Sequence, residues 1–278
     1  MKDDSALEPF RLSLGFGSLP GHTVKGIVRN PWSLPTFADD GLHGWCCQCV
    51  DEFRHNAWDR IAAPYILLEP EWKVWCHLPN AAARRRWMRG RVAAKDAVRL
   101  LLLDRYGFVA PLESIGILPG EGGQPRVTCT ALPQTKNQIS VSISHCGNSS
   151  VALAAERSEF CRNVGIDVAS LTDNHDGLAE GGFVSAETAL LDACPDGERP
   201  GWLLRLWCAK EAVGKALGVG LAGNPLNHIV RQVDLTQGNV EIEAHVPGAP
   251  TTSSSSNTCV TAHVGHDRGM AFAVAKQG

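Results

Sequence analysis

The chain has 278 residues, 44% hydrophobic and 20% charged, enough to bury a substantial core as one large domain or two small ones. A net charge of −3 excludes a global attraction to nucleic acid or to an anionic membrane, so an anionic ligand has to meet a local basic patch. No run approaches the ~20 apolar residues of a membrane span, and the acidic start Met1-Lys-Asp-Asp-Ser5 is unlike an export signal; the expectation is a soluble, cytoplasmic, monomeric protein without membrane or nucleic-acid partners.

Residues 1–80 are rich in tryptophan and proline but show no sustained period; a helix over 47–61 and a strand over 71–77 are the predicted elements. The 10 cysteines are scattered without a secretion signal and read as reduced, buried thiols. His43, Cys46, Cys49 and Cys76 have zinc-ligand chemistry, but one Cys-x-x-Cys without a second pair is a weak pattern, and no zinc is expected there.

The next stretch is more regular. Residues 81–106 hold good helix formers with Val92, Val98, Leu101 and Leu102 at helical spacing, closed by Gly107. Arg84, Arg85, Arg86, Arg89, Arg91 and Lys95 in this helix are either an ordinary solvated face or a phosphate-binding patch. Residues 119–125 read as a turn-rich loop. In residues 139–144, Ile139, Val141 and Ile143 alternate with serines as in a strand, ended by His145; a second strand spans 151–156. A third spans 164–169, with Val164, Ile166 and Val168 predicted to face the core. Gly165, Asp167 and Ala169 share the other face, an acid between two small residues with open space around it.

Ser185 is the predicted N-cap of a short helix from residue 183. A longer helix runs from Pro200 to Leu217, with Gly218 as its left-handed stop. At roughly 100° per residue, Leu203, Leu206, Trp207, Val213 and Leu217 form one apolar stripe. Lys210 falls inside that stripe, a poor place for an unpaired charge. Glu211 and Lys215 lie one turn apart at its edge, and Gly214 leaves room for something to approach. They are either a surface ion pair or part of a site facing that space. Strands over 228–235, 239–245, 260–266 and 270–275 follow, with a polar, serine-rich loop over 251–257. Helices and strands in separate runs indicate an α+β fold rather than alternating parallel units.

Five short motifs now stand in order: Gly123-Gln-Pro125, Ile143-Ser-His145, Val164-Gly-Ile-Asp167, Phe183-x-Ser-x-x-Glu187 and Trp207-Cys-Ala-Lys-Glu-Ala-x-x-Lys215. The series resembles the 4′-phosphopantetheinyl transferases of the surfactin-synthetase type, over residues 81 to the C-terminus. The stretch Trp87-x-x-Gly-Arg-x-Ala-Ala-Lys-Asp-Ala-Val98 is also similar to transferase domains of polyketide and fatty-acid synthases, so the chain is either free-standing or a piece of such a synthase.

The resemblance implies an α+β pseudo-dimer. Its first half would be 81–160, its second half, carrying the metal site, 161–278, with coenzyme A in the cleft between them and residues 1–80 as an extension. It implies transfer of the phosphopantetheine arm of coenzyme A to a serine of an acyl or peptidyl carrier protein, in cis or in trans, with release of 3′,5′-adenosine bisphosphate. That reaction asks for a hard divalent cation, Mg²⁺ or Mn²⁺, a base and cations for the phosphates. By resemblance Asp167 and Glu211 are the metal ligands, Glu211 is also the base, and Lys215 holds the pyrophosphate. His145 and Ser144 would contact the nucleotide's 3′-phosphate end, although a histidine ending a strand is equally read as a satisfied, partly buried one. Lys210 reads as a structural or pocket-wall residue and Trp207 as core. Two positions depart from the pattern. Ala169 stands where many relatives carry a third carboxylate, and Gln124 where a basic residue is common; Arg126 or an arginine of 84–91, Arg91 among them, would supply the charge. A non-catalytic module that binds coenzyme A or a carrier protein is the alternative, favoured by Ala169; a zinc or redox function at Cys46 and Cys49 is a distant third.

Overall fold

The computed structural model describes residues 23–24, 27–28, 43–48, 63–108, 110–120, 123–130, 138–173, 175, 177–195, 197–221, 224–246, 257–267 and 269–278, with side chains from residue 63 onward. They fall into two compact units. The first holds strands β1 (Thr23–Val24), β2 (Ile27–Val28) and β3 (His43–Gln48), helices α1 (Glu69–Cys76) and α2 (Ala81–Tyr106), and strands β4 (Ile115–Pro119), β5 (Pro125–Cys129), β6 (Ile139–Cys146) and β7 (Ser149–Glu156). The second holds Gly123 and Gln124, then β8 (Asn163–Ser170), α3 (Leu178–Gly182), α4 (Ser185–Ala189), α5 (Arg199–Leu217), β9 (His228–Asp234), β10 (Asn239–His245), β11 (Asn257–Asp267) and β12 (Met270–Gln277).

The two units share one topology. The larger sheets run β3-β7-β6-β5-β4 and β8-β12-β11-β10-β9, antiparallel throughout. In each, an edge strand leads into helices, a four-strand meander follows, and its last strand returns to pair with the first. One long helix covers a face of each sheet, the α+β organisation expected. The first unit reaches back into residues 1–80, because β3 is its edge strand and α1 packs in its core.

Each unit is locked by the same buried ion pair. Glu71 and Lys95 are fully buried and meet at 2.7 Å; Glu187 and Lys210, also fully buried, meet at 2.8 Å. Glu71 also accepts from the backbone N–H of Leu68 and of Ile117 in β4, while Glu187 accepts from Val184 and from Val230 in β9. The two lysines donate to matching carbonyls, Ile66 and Leu112 for Lys95, Gly182 and Pro225 for Lys210. Every strong acceptor and donor at these charges is therefore used, the condition under which a buried pair is tolerated. Burial still pushes both lysine pKa values down, opposed by their glutamates.

Several predicted elements differ from the fold. The strand over 71–77 is the helix α1. Glu71 caps its first turn, Lys73 pairs with Glu69 at 2.8 Å, and Trp72 and Trp75 stack at 4.9 Å, contacts that need helical spacing. Cys47 and Gln48, placed in a helix over 47–61, are in β3; the rest of that stretch lies outside the described residues, as does the loop over 251–256. The N-cap of α4 is Val184 rather than Ser185, its N–H taken by Glu187 three residues on.

The helix α5 (Arg199–Leu217) ends at Gly218 with φ 74°, as expected, but its buried surface is set by small residues. Cys208, Ala209, Ala212, Val213 and Ala216 are fully buried, whereas Leu203, Trp207 and Leu217 pack at the margin. Small side chains let helix and sheet approach closely. A Cβ on Gly165 would lie 1.8 Å from the Ala212 carbonyl oxygen. The face of Gly165, Asp167 and Ala169 is therefore the helix-facing side of β8, with no free space at Gly165. Val164, Ile166 and Val168 are also buried, so both faces of this strand are covered. Gly214 is likewise occupied: a Cβ there would be 2.4 Å from the Gly220 carbonyl oxygen, in the loop folding back over the helix end.

Two outcomes are expected. Gly165→Ala forces β8 from α5 and should destabilise the chain by ~3 kcal/mol or more in urea unfolding; a smaller loss would mean that the sheet yields easily. His228, fully buried at the start of β9, has no hydrogen-bond partner for either ring nitrogen among the described residues. Burial first, and the Lys210 charge second, lower its pKa from 6.5 to about 4. The unfolded chain binds this proton at higher pH than the folded chain, so stability is lost as pH falls from 6.5 towards 4, by up to ~3 kcal/mol. His228→Phe should flatten the urea midpoint across this window; an unchanged slope would place the acid loss elsewhere.

Candidate functional site

In the second unit, β8 and α5 bring Asp167, Glu211 and Lys215 together. Strand β8 presents Asp167 towards the helix, and the tight Gly165 packing fixes its distance from α5. Lys215 Nζ donates to Asp167 Oδ1 at 2.7 Å and to the Ile166 carbonyl at 3.0 Å. Of its three N–H bonds, one remains for another acceptor. Of the two readings of Glu211 and Lys215, the surface pair within the helix does not form, because Lys215 pairs with Asp167 on β8. Among the described residues the Glu211 carboxylate has neither hydrogen bond nor ion pair. Burial first, then the Asp167 charge, raise its pKa, and Lys215 opposes them. A partly buried carboxylate with a raised pKa, next to a second carboxylate and an ammonium, is suited to accept a proton or to bind a cation.

The two carboxylates are hard oxygen donors of the kind a divalent cation takes, and their mutual repulsion, seen in the Asp167 charge raising the Glu211 pKa, is what such a cation would relieve. Ala169 follows Asp167 by two residues on the same face and adds no ligand. Among the described residues no group of three or more His, Cys, Asp or Glu side chains is placed to hold a metal. The side chains of His43 and Cys46, and Cys49 altogether, lie outside the described residues; Cys76 is exposed.

A second cluster stands in the first unit, on α2 and the β6–β7 hairpin. His145 lies in β6 opposite Ser150 of β7, and its Nδ1 meets Ser150 Oγ at 2.7 Å. The ring packs on Gly90 of α2, where a Cβ would come within 2.6 Å of it. Gly90 is flanked by Arg89 and Arg91, both 8% exposed. Arg89 donates to the Gly147 carbonyl at 3.4 Å, and Arg91 lies 4.1 Å over the Trp87 ring. The Nε of each is buried without a hydrogen-bond partner among the described residues. Desolvation lowers the Arg91 pKa to about 10, so it remains charged at neutral pH. Ser144 is buried on the same strand as His145.

The basic run is thus not one solvated face. Arg86 is exposed, Lys95 is consumed by Glu71, and Arg89 and Arg91 remain as buried cations with no ion pair among the described residues. Arg126 is exposed on β5. Gln124 belongs to the second unit, where its amide meets the end of α5. Sequence reasoning named Arg89 only as a member of the basic run and did not single out Ser150; the two-residue turn at 147–148, which sets 145 opposite 150, was the available signal. It also left Lys210 without its partner Glu187, although the Phe183-x-Ser-x-x-Glu187 motif contains it. No helix among the described residues is long and apolar enough to cross a membrane.

Comparison with known proteins finds one curated relative and one family model. The holo-[acyl-carrier-protein] synthase of Chlorobaculum parvum is 40% identical over 67 residues, 24% of this chain and 56% of that protein. The chain thus spans about half the length of this curated relative. The family model described as the 4′-phosphopantetheinyl transferase superfamily matches residues 163–275, from β8 to β12 and including Asp167, Glu211 and Lys215.

Proposed function

We propose that this protein transfers the 4′-phosphopantetheine arm of coenzyme A to a serine of an apo acyl or peptidyl carrier protein. The observation that carries the reading is the unpaired Glu211 carboxylate beside the Asp167–Lys215 pair, inside the region similar to the transferase superfamily. The serine Oγ attacks the β-phosphorus of coenzyme A, the bond from that phosphorus to the bridging oxygen breaks, and 3′,5′-adenosine bisphosphate leaves. Glu211 accepts the serine proton, directly or through a water, and its raised pKa makes it a stronger base than an exposed carboxylate. Lys215, held by Asp167 and the Ile166 carbonyl, directs its remaining N–H at the pyrophosphate. Asp167 and Glu211 would hold the divalent cation, Mg²⁺ or Mn²⁺; when bound, it neutralises charge developing on the phosphates.

The cluster of Arg89, Arg91 and His145 is assigned to a phosphate of the adenosine moiety, while Ser144 lies on the opposite face of β6. Two buried guanidinium groups with open Nε donors favour a doubly charged acceptor over solvent. The non-catalytic alternative rests on Ala169, which leaves two carboxylates rather than three.

Intact-mass spectrometry of an apo acyl carrier protein incubated with this protein, coenzyme A and Mg²⁺ tests the reading, with EDTA as control. A gain of one phosphopantetheine arm that EDTA abolishes is the expected result. Coenzyme A binding without any gain, across several carriers, would favour the non-catalytic module. Glu211→Gln should lower transfer by ~100-fold or more with an unchanged unfolding midpoint, and a fully active variant would remove the base assignment. Arg91→Ala should raise the KM for coenzyme A by about 10- to 100-fold while hardly changing that for dephospho-coenzyme A, which lacks the 3′-phosphate. Equal effects on both would move Arg91 away from that phosphate.

A further inference from the structure

The last turn of α5 leaves carbonyl groups without intrahelical partners, and Lys215 belongs to that turn. The loop after the helix serves the Gly214 carbonyl, through the N–H groups of Val219 at 3.1 Å and Gly220 at 2.9 Å. The Lys215 carbonyl receives Gly218 N–H at 3.1 Å and, from a residue 91 positions earlier in the chain, the side-chain amide of Gln124 at 3.0 Å. Gln124 lies flat against the bare Cα of Gly218, where a Cβ would come 2.9 Å from Nε2. Gly218 therefore has two reasons to be glycine, its φ of 74° and the amide packed on it.

We infer that Gln124 is a positioning residue for Lys215, capping the backbone of the helix turn whose side chain holds Asp167. The inference rests on the transfer reading, in which Lys215 directs the pyrophosphate. A donor at the negative end of the helix satisfies a carbonyl that would otherwise rely on a single bent turn contact. It thereby restrains the backbone from which the Lys215 side chain spans to β8. This work differs from that of a direct ligand of coenzyme A: the Gln124 N–H is committed to protein backbone, and its effect reaches the substrate through Lys215.

The test compares Gln124→Ala and Gln124→Lys with the wild-type chain, by steady-state kinetics and by amide hydrogen exchange. Gln124→Ala should accelerate exchange at Gly218, Val219 and Gly220 while leaving the first turns of α5 unchanged, and should lower kcat by roughly tenfold with the KM for coenzyme A held within about twofold. Gln124→Lys, which keeps a donor at the same reach, should restore both. A raised KM for coenzyme A at unchanged kcat would make Gln124 a ligand and overturn the inference. Unchanged exchange at the helix end would overturn it as well. A wild-type chain that transfers nothing would sink the transfer reading alone, because the exchange measurement still decides whether Gln124 holds the helix end.

Discussion

A glutamate and a lysine, both wholly excluded from water, hold each unit together. The pair is costly to bury, and it survives because every remaining donor and acceptor has a backbone partner. In the second unit Glu187 caps α4, holds the N–H of Val230 in β9 and pairs with Lys210 on α5. Three elements are thereby pinned at one point. The pair also sets the rotation of α5 about its own axis. With Lys210 turned into the core, Glu211, ~100° further round, comes to the half-buried edge, and Lys215 follows beside it. The chemistry proposed for Glu211 and Lys215 depends on a contact that takes no part in it.

The first unit has the same device at Glu71 and Lys95, and the comparison explains why the two units differ in chemistry. The residue after each buried lysine is an acid, Asp96 in α2 and Glu211 in α5. Asp96 is 4% exposed and is neutralised by Arg99 at 2.9 Å, whose Nε in turn donates to the Ala110 carbonyl. The charge is fully spent on structure. Glu211 has no such cation of its own, because Lys215 turns to Asp167 across the helix–strand contact. An acid left in part unsolvated and unpaired is the group that can exchange a proton or take a cation. The first unit's open charges are instead positive, at Arg89 and Arg91 beside His145.

Close packing supplies the precision. Gly165 lets the α5 backbone come against β8, and a run of alanines on the helix face keeps that distance short. A salt bridge between a strand aspartate and a helix lysine needs such an approach, since a larger side chain at either place would part them. Gly90 plays the corresponding part in the first unit, where the His145 ring rests on the helix between the two arginines. In both places a glycine brings a polar side chain to a helix surface rather than relieving a turn.

Periodicity and end signals made much of the fold legible: the extents of α2 and α5, the strands from 139 onward and the α+β class follow from local patterns, and the order of five short motifs pointed to the chemistry. These features are local, so neighbouring residues determine them. Short stretches were ambiguous, as with 71–77, where seven residues suit either a helix or a strand until a cap and a buried partner choose. What only tertiary structure decided was which side chains meet. Lys215 prefers Asp167, 48 residues away, to Glu211 in its own helix; Lys210 finds Glu187; Gln124 reaches the end of α5. The apparent room at Gly165 and Gly214 was likewise a property of the sequence pattern alone, filled in the fold by backbone. Pairings between distant segments depend on how helix and strand surfaces fit, and one chain read in order carries the parts of that fit without their distances.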